Sequence, residues 1–77
     1  MNRRVRVAVA PDLRPRGFRW GRKWLAVSEV MEDWRDTGQW WEGEAEKHFY
    51  RVAAGCGVYE LCFVPQGGEW TLYKVYD

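Results

Sequence analysis

Turns rich in glycine and proline recur along this 77-residue chain and divide much of it into short segments. The clearest turns are Gly21-Arg22, Gly55-Cys56-Gly57 and Pro65-Gln66-Gly67-Gly68. Glycine adopts the positive φ angles that tight turns need, and proline removes a backbone donor and so interrupts regular structure. Short segments joined in this way favour β-hairpins over long helices. The turns therefore predict a series of antiparallel strands.

The segments between the turns alternate apolar with polar residues, as β-strands with one buried face do. In the first segment, Val5, Val7 and Val9 share one side of the chain. Aromatic and β-branched residues, which favour extended backbone, dominate the later segments. The segments with strand character are 5–9, 18–20, 47–54, 59–64 and 70–76.

These segments predict a single, mainly β domain over residues 1–77. We expect a small antiparallel meander of four or five strands that curls into an SH3-like or other open barrel. Residues 1–4 are expected to fray, and residues 11–17 to form a loop, because Pro11 and Pro15 disfavour regular structure there. The composition is 47% hydrophobic and 17% aromatic, which is enough for a compact core in a domain of this size.

Residues 24–36 fit two patterns. Four apolar residues have the spacing of an amphipathic helix: Val27, Val30, Met31 and Trp34. One short helix around residues 28–35 is therefore one interpretation. A long, bent strand from 23 to 35 is the interpretation that we favour, because tryptophan and valine prefer extended backbone. If the Trp34 ring lies in the core, Trp34→Ala should cost about 3–5 kcal/mol.

The cysteine and histidine content argues against a metal site. Cys56, Cys62 and His48 are one ligand short of the four that a structural zinc ion takes, so we predict no metal and no cofactor. No apolar run is long enough to cross a membrane, and Arg6 interrupts the apolar segment nearest the N-terminus. We therefore expect a cytoplasmic protein without a membrane partner.

The formal net charge of +1 conceals an uneven distribution. Residues 1–23 carry eight basic and one acidic side chain, for a net charge of +7. Residues 24–77 carry four basic and ten acidic side chains, for a net charge of −6. This asymmetry predicts a basic region that can attract an anionic partner and an acidic remainder that limits the length of any phosphate track.

Nucleic-acid binding is one function that this basic region suggests. Five basic residues surround Phe18, Trp20 and Trp24, namely Arg14, Arg16, Arg19, Arg22 and Lys23. Basic groups neutralise phosphates and exposed aromatic rings stack on bases, and small barrels combine the two to bind single strands. The alternative is that the three aromatic residues belong to the core and the basic residues form a solvated face.

Protein binding is the other function that the composition suggests. Trp40 and Trp41 are adjacent, so in an extended segment they point to opposite sides, and burial of one leaves the other exposed. An exposed tryptophan next to Arg35 and Glu42 has the composition of an interface anchor. A loop that buries both rings is the alternative. Self-association, with the basic region of one chain against the acidic region of another, would give a homodimer.

Catalysis is not expected from these residues. The chain has one serine, Ser28, and one histidine, His48, and neither lies in a motif that pairs a nucleophile with a base. The glycine-rich turns match neither of the phosphate-binding loop patterns. A barrel of this size also leaves little volume for a substrate pocket. We predict a protein that is not an enzyme and has no catalytic residues.

A tryptophan-rich pattern extends over residues 16–77. Its main part consists of Phe18, Trp20, Gly21, Val27, Val30, Trp34-Arg35-Asp36-Thr37-Gly38, Trp40-Trp41 and Gly43-Glu44. It continues with Tyr50-Arg51-Val52, Tyr59-Glu60-Leu61 and the C-terminal stretch Trp70 to Asp77. This pattern resembles a small bacterial family of unassigned function, whose members occur beside, or as the tail of, ImuB-like Y-family translesion DNA polymerase homologues.

The resemblance implies an association with translesion DNA synthesis in the bacterial mutasome, and it carries over no catalytic residues. We therefore expect a non-enzymatic adaptor module that docks on a protein, such as a translesion polymerase component. The residues expected to contact that partner are Trp40, Trp41, Arg35 and Glu42. The alternative is a module that binds single-stranded or primer-template nucleic acid through basic residues 14–23.

Overall fold

The computed structural model describes residues 3–37, 43 and 45–76, and most of them lie in β-strands. The strands are β1 (Arg3–Arg4), β2 (Val7–Val9), β3 (Pro15–Trp20), β4 (Lys23–Asp36), β5 (Lys47–Ala54), β6 (Gly57–Val64) and β7 (Glu69–Tyr76). These described residues include no helix. The prediction of a mainly β fold is confirmed.

All neighbouring strands are antiparallel, in the order β1-β7-β6-β5-β4-β3-β2. Strands β2 to β7 form a meander, because each one pairs with the next along the chain. The segment 3–9 reaches both edges of this sheet, since β1 pairs with β7 and β2 pairs with β3. Two further backbone bonds support this arrangement, from Val5 N to Trp70 O and from Arg19 N to Arg6 O, each 3.0 Å long. The sheet is therefore curled into an SH3-like, open barrel.

Strand β4 is 14 residues long and replaces the helix that we considered around residues 28–35. The helix interpretation is wrong, and the long, bent strand is confirmed. Two β-bulges interrupt the pairing of β4 with β5 and leave Ser28 and Met31 without an opposite residue. The Ser28 hydroxyl donates a 3.0 Å hydrogen bond to the Ala53 carbonyl and so ties the first bulge to β5. Bulges bend a strand and increase its twist, which explains the curvature here.

The core lies on the concave side of the sheet. Its fully buried side chains are Phe18, Val52, Leu61 and Leu72. Trp70 is 9% exposed and joins the same cluster, whereas Trp20 and Tyr59 are half-buried at its margin. Phe18 meets Tyr59 edge to face at a ring separation of 5.1 Å, which is a favoured aromatic geometry.

The three predicted turns are present. Gly21, Gly55 and Gly68 have φ angles of 61°, 56° and 67°, which a residue with a Cβ atom adopts only at a cost. These glycines lie in the β3–β4, β5–β6 and β6–β7 connections, respectively. The hairpin centred on Gly21 is therefore confirmed, with Trp20 opposite Lys23 at its closed end.

The N-terminal region is more regular than we expected. Arg3 and Arg4 form β1 instead of fraying, because the exposed edge of β7 offers them backbone partners. The loop expected over residues 11–17 is shorter, since residues 15–17 belong to β3. Hydrogen bonds from Ala10 N to Arg14 O and from Leu13 N to Ala10 O close the remaining loop, each at 2.8 Å. Such closure allows Pro15 to start a strand, where it needs no N–H.

Candidate functional site

Three aromatic residues lie together on the convex side of the sheet, and we call Trp34, Phe49 and Tyr73 the outer aromatic face. Trp34 is opposite Phe49 in the pairing of β4 with β5, so the two side chains leave the same side. Their rings are stacked, with centroids 5.4 Å apart and an interplanar angle of 12°. Phe49 also meets Tyr73 edge to face at 5.2 Å. The three rings thus form one continuous cluster outside the core.

The cluster is apolar but only partly covered. Trp34 is 36% exposed and Tyr73 43%, whereas Phe49 between them is 7% exposed. An open cavity of about 490 Å³ lies beside these rings, and Arg35, Asp36 and Thr37 complete its lining. Large aromatic side chains that remain exposed next to a concavity are typical of a binding surface.

An ion-pair network lies beside the outer aromatic face and limits its freedom to move. The Arg51 guanidinium donates to Glu60 Oε2 at 2.9 and 3.1 Å and to Glu32 Oε1 at 2.9 Å. The Tyr76 hydroxyl donates to the same Glu60 oxygen at 2.6 Å. Arg51 Cζ also lies 5.7 Å from the centroid of the Trp34 ring, within the range of a cation–π contact. The network thus couples the position of Trp34 to three neighbouring strands.

Glu60 is 3% exposed, and neighbouring side chains stabilise its negative charge. Burial raises the pKa of this carboxyl group, but the hydrogen bonds from Tyr76 and Arg51 outweigh burial, so the pKa lies below its ordinary value. The hydrogen bond to Glu60 is in turn the main reason that the pKa of the Arg51 guanidinium is raised above its ordinary value. The pair is therefore ionised at neutral pH and acts as a fixed support.

Of the predicted protein-binding residues, the structure describes only Arg35. Arg35 is exposed and lines the cavity beside Trp34. Trp40, Trp41 and Glu42 lie outside the described residues. Trp34 does not lie in the core, so the stability loss predicted for a core position does not apply. Phe49 and Tyr73 were not singled out from the sequence, since nothing in the alternation alone shows which apolar residues face outward.

Four arginines converge elsewhere on the molecule, and we call Arg3, Arg4, Arg6 and Arg19 the arginine groove. They line an open cavity of about 430 Å³ together with Val5 and Gly21. The pairing of β2 with β3 brings Arg6 beside Arg19, and Arg3 and Arg4 lie on β1, just before that segment. The sequence showed the charge but not this convergence, which requires the pairing.

The structure describes all five basic residues predicted to bind nucleic acid, and their surroundings differ. Arg19 lines the arginine groove, but Arg14 Nη2 is 3.3 Å from Asp33 Oδ2 and is thereby paired. Arg16, Arg22 and Lys23 are exposed. The three aromatic residues among them also differ in exposure. Phe18 is fully buried, Trp20 is half-buried and Trp24 is 55% exposed.

The serine and the histidine are far apart. The Ser28 hydroxyl on β4 bonds the carbonyl of Ala53 on β5, and His48 lies five residues before Ala53 on β5. At the usual rise of a strand, His48 and Ala53 are about 16 Å apart. The His48 ring packs edge-on against Phe63, and its Nε2 atom is 3.6 Å from Glu46 Oε2. The structure therefore does not bring Ser28 and His48 together as a catalytic pair.

Neither a metal-ligand cluster nor a membrane span is found in the described part of the chain. Residues 3–37, 43 and 45–76 contain no group of three or more His, Cys, Asp or Glu side chains arranged to hold a metal ion. Among the same residues, no helix is long and apolar enough to cross a membrane. Cys56 is exposed and Cys62 is buried, and both are free thiols.

A family model described as "Domain of unknown function (DUF6504)" matches residues 2–77. The chain therefore belongs to that family, over almost its whole length. No curated protein and no solved structure matches it.

Proposed function

We propose that this member of the DUF6504 family is a non-enzymatic, cytoplasmic adaptor that binds a protein partner through the outer aromatic face. The observation that carries this proposal is the exposure of Trp34 and Tyr73 around the buried ring of Phe49. Tryptophan and tyrosine dominate the binding energy of protein interfaces, because they bury a large area with few rotatable bonds.

The rigidity of this surface supports the proposal. A side chain that is already held in place loses less entropy when a partner binds it. Phe49 contacts both exposed rings, and the guanidinium of Arg51 lies near Trp34 while it is bound to Glu32 and Glu60. The charged residues around the rings provide a polar rim, which is the usual surrounding of an apolar interface centre.

Translesion DNA synthesis is the proposed context, and it rests on the sequence resemblance. Thr37 lines the cavity of the outer aromatic face, and the sequence continues from it through Gly38 to Trp40, Trp41 and Glu42. Arg35 lies on the same stretch. Under this proposal, the conspicuous tryptophan segment and the outer aromatic face contact one partner, a component of the translesion polymerase assembly.

The test is to measure binding of the purified chain to the ImuB-like polymerase homologue of the same bacterium, with Trp34→Ala, Tyr73→Ala and Trp41→Ala variants. Each substitution is expected to weaken binding by about 30-fold, as loss of an interface anchor does. Met31→Ala is the matched control, since Met31 is 47% exposed but lies outside the outer aromatic face. Binding that is absent for the unmodified chain, or equal for all variants, would overturn the proposal.

A further inference from the structure

The arginine groove concentrates positive charge, and the described residues neutralise only part of it. Arg4 Nη2 forms an ion pair with Glu69 Oε1 at 2.9 Å. Within the described residues, Arg6 has no carboxylate at ion-pair distance. Arg19 donates from Nε to the Gly21 carbonyl at 3.2 Å, which orients its guanidinium without cancelling its charge. Among the described residues, four cations therefore share one carboxylate, and this excess of positive charge attracts anions.

The closure of the barrel keeps these arginines together. Val5 and Val7 contact the core cluster, so the alternating residues Arg4 and Arg6 are directed away from it. The backbone bond from Arg19 N to Arg6 O fixes the two strands side by side. Arg3 is held differently, with Cζ 5.6 Å from the centroid of the Trp20 ring. The groove is thus formed before any ligand arrives.

An exposed indole ring lies next to the groove. Trp24 is opposite Arg19 in the β3–β4 pairing, so both side chains leave the same side of the sheet. The ring lies against Gly17, since a Cβ atom at that glycine would be 2.8 Å from Trp24 Nε1. Gly17 therefore provides a bare stretch of backbone on which the ring rests, and Trp24 still keeps 55% of its surface exposed.

We propose that the arginine groove and Trp24 form a binding site for single-stranded nucleic acid. The guanidinium groups would bind phosphodiester oxygens, for which their planar, bidentate geometry is suited. The Trp24 ring would stack on an unpaired base, which a duplex does not present. A merely anionic ligand, such as an acidic peptide, would use the arginines but not the ring. This site shares only Arg19 with the basic residues that the sequence had indicated, and it lies apart from the outer aromatic face.

The test uses the full chain and a fluorescently labelled oligothymidine, with binding measured by anisotropy over a range of salt concentrations. Arg6→Gln/Arg19→Gln removes two phosphate contacts and is expected to reduce the slope of log K against log salt by about 1.4. Lys47→Gln/Lys74→Gln is the control with the same change of net charge, and it should leave that slope unchanged. If both double variants reduced the slope equally, binding would respond to net charge alone, and the proposal would be overturned.

Stacking is tested separately from charge. Trp24→Ala is expected to weaken oligothymidine binding by about 5- to 150-fold. Gly17→Ala retains every charge and the indole itself, but its Cβ atom displaces the ring, so it should weaken binding in the same direction. Circular dichroism of each variant confirms that it is folded. If both variants bind as tightly as the unmodified chain, or if heparin or anionic vesicles bind as well as the oligonucleotide, the site is a general polyanion surface and the proposal fails.

Discussion

At the scale of single residues, the contact between Glu60 and Arg51 links the structure to a measurable pH dependence. Burial raises the pKa of the Glu60 carboxyl group, but donation from Tyr76 and Arg51 lowers it further than burial raises it. Its folded-state pKa is therefore below the ordinary value that a glutamate side chain has in an unfolded chain. The ionised carboxylate stabilises the fold above that value, and this stabilisation is lost as the pH falls through the folded-state pKa.

Replacement of this carboxylate should remove that part of the pH dependence. Glu60→Gln is expected to lower the free energy of unfolding at neutral pH by about 2 kcal/mol, because it weakens hydrogen bonds to a charged group. The loss should shrink at acidic pH, where the native carboxyl group is protonated. Urea unfolding at a series of pH values measures both quantities. Parallel stability curves for the two proteins would show that Glu60 is not held as described.

The two cysteines should differ in reactivity. Burial raises the pKa of the Cys62 thiol, and this side chain is 4% exposed, so both the thiolate population and the access of a reagent are low. Cys56 is exposed in the β5–β6 turn. We expect an alkylating reagent to modify one thiol per chain quickly under native conditions, and the second only after denaturant is added. Mass spectrometry identifies the sites, and rapid modification of Cys62 would contradict the placement of β6.

At the scale of elements, β4 shows why a strand can resemble a helix in sequence. Val27 and Val30 both pack at the margin of the core, although three positions separate them. A regular strand would place them on opposite sides. The bulge at Ser28 adds one residue between them, so both face inward with a spacing that is typical of helices. The apolar pattern therefore arises from bulges and not from helical turns.

This difference gives a direct test. A helix with its apolar face on Val27, Val30, Met31 and Trp34 would bury Met31, whereas the bulged strand leaves it 47% exposed. We expect Met31→Lys to change the free energy of unfolding by less than about 0.5 kcal/mol, as exposed positions do. Val30→Lys places a charge at the core margin and should destabilise the domain by several times more. Thermal unfolding of the matched pair measures this, and equal losses would argue for the helix.

The local parts of the fold could be predicted from the sequence, but the non-local parts could not. The turns at Gly21, Gly55 and Gly68 are set by residues adjacent in the sequence, and a glycine there indicates the positive φ angle that the turn requires. The outward direction of Trp34 depends on how many bulges precede it, and no residue type marks a bulge unambiguously. The arginine groove depends on the pairing of β2 with β3, which brings Arg6 beside Arg19. The alternation of apolar and polar residues within each strand does not show which strands pair.

At the scale of the whole molecule, the charge asymmetry of the sequence groups four arginines in one groove, while Arg4 and Arg14 pair with acidic residues of the region 24–77. The arginine groove is built from β1, β3 and the segment that joins β1 to β2, whereas Glu29 and Glu32 are exposed on β4. Oppositely charged regions on one surface can bring two copies together. A homodimer stays a prediction, and sedimentation at low and high salt tests it. Dissociation of the dimer at high salt is expected, while a salt-independent mass would exclude this electrostatic mode.

The two proposed surfaces should also work independently, which would make the chain a bridge between a protein and a single strand. The outer aromatic face and the arginine groove have no lining residue in common, and the described contacts show no hydrogen-bond partner that they share. Substitutions without shared partners usually add within about 0.5 kcal/mol. Trp34→Ala should therefore weaken protein binding alone, and Arg6→Gln/Arg19→Gln oligonucleotide binding alone.

A complex of all three components decides whether this independence holds. With the polymerase homologue at saturation, the affinity of the chain for oligothymidine should stay within about twofold of its value in the binary complex, since additive sites carry little coupling free energy. If the bound protein partner instead prevents oligonucleotide binding, the partner must cover part of the arginine groove as well as the outer aromatic face. The bridge would then be replaced by a switch between two exclusive partners.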